Sequence, residues 1–268
     1  MTHAMSPPLS TRTRVLLPLA VLLLLMLVWE IAVRATRTQG LVPHPAGVYS
    51  SGVLLTGSGV IFEAMSGSLA RVAIGFSVGA VIGIPLGLAI GTIAPLDRAL
   101  RPLLDGLRSI APIAWIPMAI LWLGVRGNAA LFVVAYGAVF PFIVNASQAA
   151  RLIDRRLVSA ARALGAGPWV MFRSVLLPST MPMIFTGARI ALAFAWASII
   201  AAELAIGIKV AGHGRSVAGI GQLMVETLYV KRDVDALVFY MLAVGVVSFA
   251  IDAGLRYAQK KWLPWSRG

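Results

Sequence analysis

The sequence predicts an all-α, polytopic membrane protein with six transmembrane helices. Its 268 residues are 59% hydrophobic and only 12% charged, about half the charged share of soluble domains. Mean hydropathy is +0.88, and several apolar stretches approach the roughly 20 residues that cross a bilayer. A single membrane domain, rather than two globular ones, accounts for this length. The net charge of +13 suggests nucleic acid or anionic lipid at first. Lys and Arg gather in the cytoplasmic loops of membrane proteins, however, and topology explains the excess better. Membrane lipid is therefore the expected surroundings, and no nucleic-acid partner is expected. Cysteine is absent, which removes disulfide and thiol chemistry. There is no HExxH, Cys cluster or Walker-type glycine loop. No catalytic residue, metal site or bound cofactor is expected in this chain.

The six spans fall at 15–33, 72–94, 110–124, 129–147, 183–206 and 236–253. Arg12 and Arg14 precede the first, which could pass for a signal peptide. Val33-Arg34-Ala35 is a poor cleavage site, so an uncleaved anchor is expected. The second span carries a glycine ladder: Gly75, Gly79, Gly83, Gly87 and Gly91. Each four-residue step drifts about 40° round the axis, giving a spiral groove for close helix packing. The groove serves either packing within one subunit or a sliding seam at a pore or subunit interface. The third span is short and contains Pro112 and Pro117, so it should be bent or tilted. Arg189 and Glu203 lie in the fifth span. Ionisable groups at that depth are costly and often functional, which makes both candidates for a solute path or gate. Snorkelling is the simpler account of Arg189. Glu203, near the outer end, is either solvated or part of the path. Asp252 in the sixth span is expected to pair with Arg256 one turn on.

Orientation follows from the basic residues. Fourteen of the 23 Lys and Arg fall on the side of the N-terminus, the 98–108 loop, the 151–173 loop and the tail. Eight fall on the other side, and Arg189 lies within a span. Both termini and the 151–173 loop are therefore expected in the cytoplasm.

That loop has a layout of its own. Asp154 is placed to cap a helix over 155–164, with Leu157, Ala161 and Leu164 on one face. Gly165 supplies a left-handed stop. Pro168 suits the first position of a second short helix, in which Trp169, Phe172, Val175 and Leu176 form another apolar stripe. Pro178 is read as the stop before the fifth span. Although the arginines suggest a DNA-reading hairpin, tethering to spans at both ends argues against it. The pattern alone leaves a lipid-surface loop and a protein-docking loop equally open.

Ala160-Ala161, then Gly165 after three residues, then Val175-Leu176-Leu177-Pro178 after nine more, closely resembles the cytoplasmic EAA loop of binding-protein-dependent ABC importer permeases. Ser159 departs from that pattern, standing where the family usually has Glu, so a salt bridge to the ATPase from that position is not implied. Three further segments are similar to the nitrate/sulfonate/taurine/bicarbonate branch: SLARVAIGFSVGAVIGIPLGLAIG (68–91), LRSIAPIAWIPMAILWLG (107–124) and LPW (263–265). The outer segment 207–219 looks longer than that branch usually has before its Gly-x-Gly, here Gly219-Ile220-Gly221.

The resemblance implies a MetI-like type I ABC permease architecture, with an N-terminal anchor and outer loop over 1–65 and a permease core over 66–265. It implies a bacterial inner-membrane location and a permease homodimer, or a pair with a close homologue. It also implies two ABC ATPase subunits carrying the ATP and Mg, and a periplasmic or lipid-anchored solute-binding protein. The coupling loop at 154–178 would meet the ATPase through Ser159, Ala160, Ala161, Leu164, Gly165, Leu177 and Pro178. The branch implies a small anion such as nitrate, sulfonate, taurine or bicarbonate. The alternative is an ATP-independent secondary transporter or channel, for which inverted repeats would be expected; none is evident between the two halves.

Overall fold

Among the described residues, every regular element in the computed structural model is a helix. It describes residues 11–35, 42–125, 127–206 and 219–262. The outer segment 207–218 and the LPW at 263–265 lie outside these. The first helix, α1 (Thr11–Ala35), is 25 residues long. A short helix that no sequence signal announced, α2 (Pro45–Gly57), follows it. The bundle is then built from α3 (Val60–Thr92), α6 (Gly127–Arg151), α9 (Leu177–Ile206) and α11 (Val234–Trp262).

Four helices of the described residues are long and apolar enough to cross a membrane. A bent pair would make a fifth: α4 (Ala94–Ser109), and Pro112–Leu123, which contains α5 (Ile116–Leu123). The bend expected of the third span is present, and its extent is corrected. The two pieces meet at 85°, and α5 has only eight residues, about 12 Å of rise against a hydrocarbon core of about 30 Å. Pro112 opens a 3₁₀ turn over Pro112–Trp115, and Gly124 ends α5 at φ +78°. The loop expected before it is instead the amphipathic α4.

A second correction concerns Pro178, which does not stop the helix. The chain is helical from Pro168 to Ile206, with a π turn over Phe172–Leu176 immediately before the proline. There the Leu177 N–H reaches back five residues to the Phe172 carbonyl. Such a turn relieves the missing N–H and ring clash of Pro178.

The core centres on α6, which packs against α3 on one side and α9 on the other. The ladder faces α6 in matching four-residue steps. A Cβ on Gly79 would lie 2.7 Å from Ala138 Cβ, on Gly83 2.7 Å from the Val139 carbonyl, and on Gly87 2.6 Å from the Ile143 carbonyl. Only hydrogen fits at these backbone-to-backbone approaches. Nearer one end of the bundle, Val72, Val133, Val134, Leu192, Trp196 and Ile199 form the largest buried cluster. Nearer the other, Leu88, Ala146, Ala150 and Ile184 form a smaller one. The helix α11 buries little of itself and presents Met241, Leu242, Val246 and Phe249 outward, as a lipid-facing helix should. The expected boundary at 65/66 falls inside α3.

Candidate functional site

The 151–178 segment closes one end of the bundle, the hairpin end. Asp154 Oδ1 accepts from the Arg156 backbone N–H at 2.8 Å and starts α7 (Arg155–Ala163). Gly165 adopts φ +77°. Its N–H donates to the Arg162 carbonyl at 2.9 Å, and that of Ala166 donates to the Ala161 carbonyl at 3.0 Å. This double closure satisfies carbonyls that a helix end otherwise leaves open, and it needs a residue that tolerates positive φ. Pro168 then opens α8 (Pro168–Met171).

The hairpin exposes what a soluble surface would bury. Leu164 is 89% exposed, Trp169 69% and Leu157 53%. Trp169 stacks on Phe172 with ring centroids 5.8 Å apart. Ser159 and Ala160 are exposed; Ala161, Leu177 and Pro178 are half-buried. An open cavity of about 860 Å³ is lined by Arg155, Arg162 and Phe172 from the hairpin and by Gly91 and Arg151 from the ends of α3 and α6. Exposed apolar residues on the spans are accounted for by lipid. The hairpin sets its apolar patch among Arg155, Arg156, Arg162 and Arg173, the mixed character that lipid-surface loops and protein contact surfaces share.

The far end has the opposite character. Glu203, on α9, is 1% exposed. Its carboxylate accepts from Arg71 Nη1 at 2.7 Å, from the Ser68 hydroxyl at 2.9 Å and from the Gly221 N–H at 3.0 Å. The Ser68 Oγ in turn accepts from the Ile220 N–H at 2.9 Å. One carboxylate thus joins α3, α9 and the start of α10 (Ile220–Glu226). The Gly-x-Gly is explained by proximity: a side chain on Gly219 would collide with the Glu203 carboxyl, and one on Gly221 would lie 2.7 Å from Glu203 Cβ. Sequence reasoning saw Glu203 and the Gly-x-Gly separately and had no signal linking them.

Arg189 is brought to Asp252 rather than to Glu203. Its Nε lies 2.8 Å from Asp252 Oδ1, and Arg256 Nη1 lies 2.5 Å from Oδ2. The expected Asp252–Arg256 pair therefore exists, with Arg189 as a third member bridging α9 and α11. Among the described residues no cluster of His, Cys, Asp or Glu is arranged to hold a metal. Sequence reasoning missed the charged face of α4, where Asp97 engages both Arg101 and Arg151. Its signal was present as Asp97, Arg101, Asp105 and Arg108 at helical spacing, hidden because the segment was read as loop.

The profile of the binding-protein-dependent transport system inner membrane component family matches residues 79–263. The bicarbonate transport system permease protein CmpB of Synechocystis sp. is 34% identical over 228 residues, covering 85% of this chain and 76% of the relative. The nitrate import permease protein NrtB of Synechocystis sp. is 29% identical over 263 residues, covering 94% and 90%. A chain of the MetNI methionine ABC transporter, solved in inward-facing conformations, superposes with a TM-score of 0.60 at 21% identity, covering 76% of this chain and 95% of that one. The fold is thus shared with a transporter whose sequence has diverged widely.

Proposed function

The chain belongs to the family of binding-protein-dependent transport system inner membrane components, and on that premise we propose that it forms the path for a small anion and docks its ATPase through the hairpin at 154–178. It is a permease subunit of an ABC importer, not an enzyme. ATP is used by a partner ATPase, and a solute-binding protein delivers the cargo. Family membership sets aside the ATP-independent transporter or channel.

In this reading residues 66–265 are the core, which begins within α3, and 1–65 are anchor and outer loop. Two copies, or one copy and a close homologue, face each other across the path. Each hairpin seats in a groove of one ATPase subunit, with Ser159, Ala160, Ala161, Leu164 and Gly165 at the contact and Leu177 and Pro178 at its root. MgATP held by the ATPases closes them, the hairpins move together, and the path opens outward. The hairpin end and both termini are cytoplasmic, and the Glu203 end faces the binding protein. A thiol introduced as Ser174→Cys, in a chain with no cysteine, should then resist impermeant reagents applied to intact cells. The anion reading is supported by the relatives named for bicarbonate and nitrate. Glu203 acts here as the brace of the outer gate, and Arg189 braces the opposite half of α9 against α11.

The observation that carries the docking role is the exposed apolar hairpin with Leu164 at its tip. Ala161→Asp would leave an unpaired charge in a desolvated contact. Gly165→Val would force a β-branched residue to φ +77°. Both variants should insert in the membrane yet lose the ATPase on purification. Alternatively, they should keep it while hydrolysis no longer responds to the loaded binding protein. Normal transport by both would falsify the docking role and leave a lipid-surface loop.

A further inference from the structure

The charged face of α4 is used by neither the hairpin nor the Glu203 brace. Asp97, Arg101, Asp105 and Arg108 share one side of the helix at steps of four, four and three. The helix does not lie flat across the hairpin end. Its first turn is tied to the last residue of α6 by the Asp97–Arg151 ion pair. Its last turn is tied to Tyr136, whose hydroxyl donates to the Leu107 carbonyl at 2.5 Å. On α6, Tyr136 and Arg151 are separated by about 22 Å of rise. The face therefore climbs beside the hairpin-side half of a membrane helix.

Open volume accompanies it. A cavity of about 250 Å³ is lined by Asp97, Arg101, Asp105 and Arg151. Above it a second of about 330 Å³ is lined by Tyr136, Asn145, Ile190 and Phe194. The upper one has room for on the order of ten waters. Arg108 and Val144 border both. Arg108 Nε meets Asp105 Oδ1 at 3.2 Å, and its two terminal nitrogens have no partner among the described residues. Together with Arg151 the face sets three arginines against two aspartates, and Asp97 is already engaged by two of those arginines.

Arg108, beside the hairpin-side half of a membrane helix and bordering both open volumes, is the kind of ionisable group that marks a solute pathway. The upper cavity is otherwise mainly apolar and aromatic, so a guanidinium there attracts an anion more strongly than it would in water. Its planar fork matches two oxygens of one ion. We propose that the charged face of α4 lines the hairpin-side half of the path, and that Arg108, between the two cavities, is the station at which a small oxyanion is held on its way through. This rests on the anion reading above, and its test is separable from it.

Val144→Cys places a thiol beside Arg108 in the assembled complex with its ATPase, held in nanodiscs so that both faces are reachable. Anionic 2-sulfonatoethyl and cationic 2-(trimethylammonium)ethyl methanethiosulfonate are compared. Adding Arg108→Gln should lower the anionic-to-cationic rate ratio by about tenfold. An unchanged ratio, or no modification by either reagent, overturns the proposal. If Val144→Cys does not assemble, Arg108→Cys replaces it: modification by the sulfonate reagent supports a water-filled path, and protection from it overturns one. In proteoliposomes Arg108→Gln should reduce nitrate or bicarbonate uptake while the ATPase stays bound; uptake equal to wild type overturns the proposal. If the wild-type complex carries neither ion, the anion reading falls, and the reagent ratio still decides the role of Arg108.

Discussion

The two ends of the bundle solve opposite problems. At the far end a carboxylate is buried, and three donors surround the hydrogen-bonded Glu203–Ser68 pair: Arg71 and the N–H groups of Ile220 and Gly221. At the hairpin end, apolar side chains stand in the open with arginines between them. A buried charge with all its partners tolerates little motion, because separating the partners leaves a desolvated ion unpaired. An exposed leucine has everything to gain from a partner that covers it. One end is thus braced from within, and the other is left incomplete for a contact from outside.

Substitutions can break or sharpen that contrast. The largest effect is expected from Glu203→Ala, which removes the acceptor shared by Arg71, the Ser68 hydroxyl and the Gly221 N–H. Removing one member of a buried pair costs about 3–5 kcal/mol, so thermal unfolding in detergent should shift strongly downward. An unchanged melting temperature would mean that the far end is wet and loose. Gly83→Leu should come next, at about 1–3 kcal/mol for overpacking, because its Cβ meets both the Val139 carbonyl and Phe142 Cβ at 2.7 Å. Normal yield and stability for this variant would place the α3–α6 seam elsewhere.

The hairpin should behave differently. Leu164→Asn, at an 89% exposed position, should alter stability by no more than about 0.5 kcal/mol. It should nonetheless reduce co-purification of the ATPase, since the apolar area that docking would bury is lost. A variant that loses stability but keeps its ATPase would reverse the assignment. The smallest effect belongs to Ser159→Glu: position 159 is exposed, and Glu suits a helix interior. Stability and ATPase association should both match wild type, and a loss of either would show that the departure at this position is required.

The sequence by itself determined whatever depends on neighbours within a turn or two. Asp154, Gly165 and Pro168 set the hairpin's start, turn and restart, and the four-residue glycine period foretold a close helix contact. Apolar length marked the long spans. It failed at 110–124, where Pro112 and Pro117 lie close together and α5, the α-helix that follows the bend, holds only eight residues. Only the tertiary structure decided the charges. Arg189 meets Asp252 across 63 residues, Ser68 meets Glu203 across 135, and Ile220 meets Ser68 across 152. It also decided that the α4 stripe, read locally as a basic loop, climbs beside α6 to Tyr136. Caps and periods are enforced by the backbone's own short-range hydrogen bonds, which any window of sequence displays. The partner of a membrane charge is chosen by how whole helices pack, because only packing brings together groups that lipid cannot satisfy.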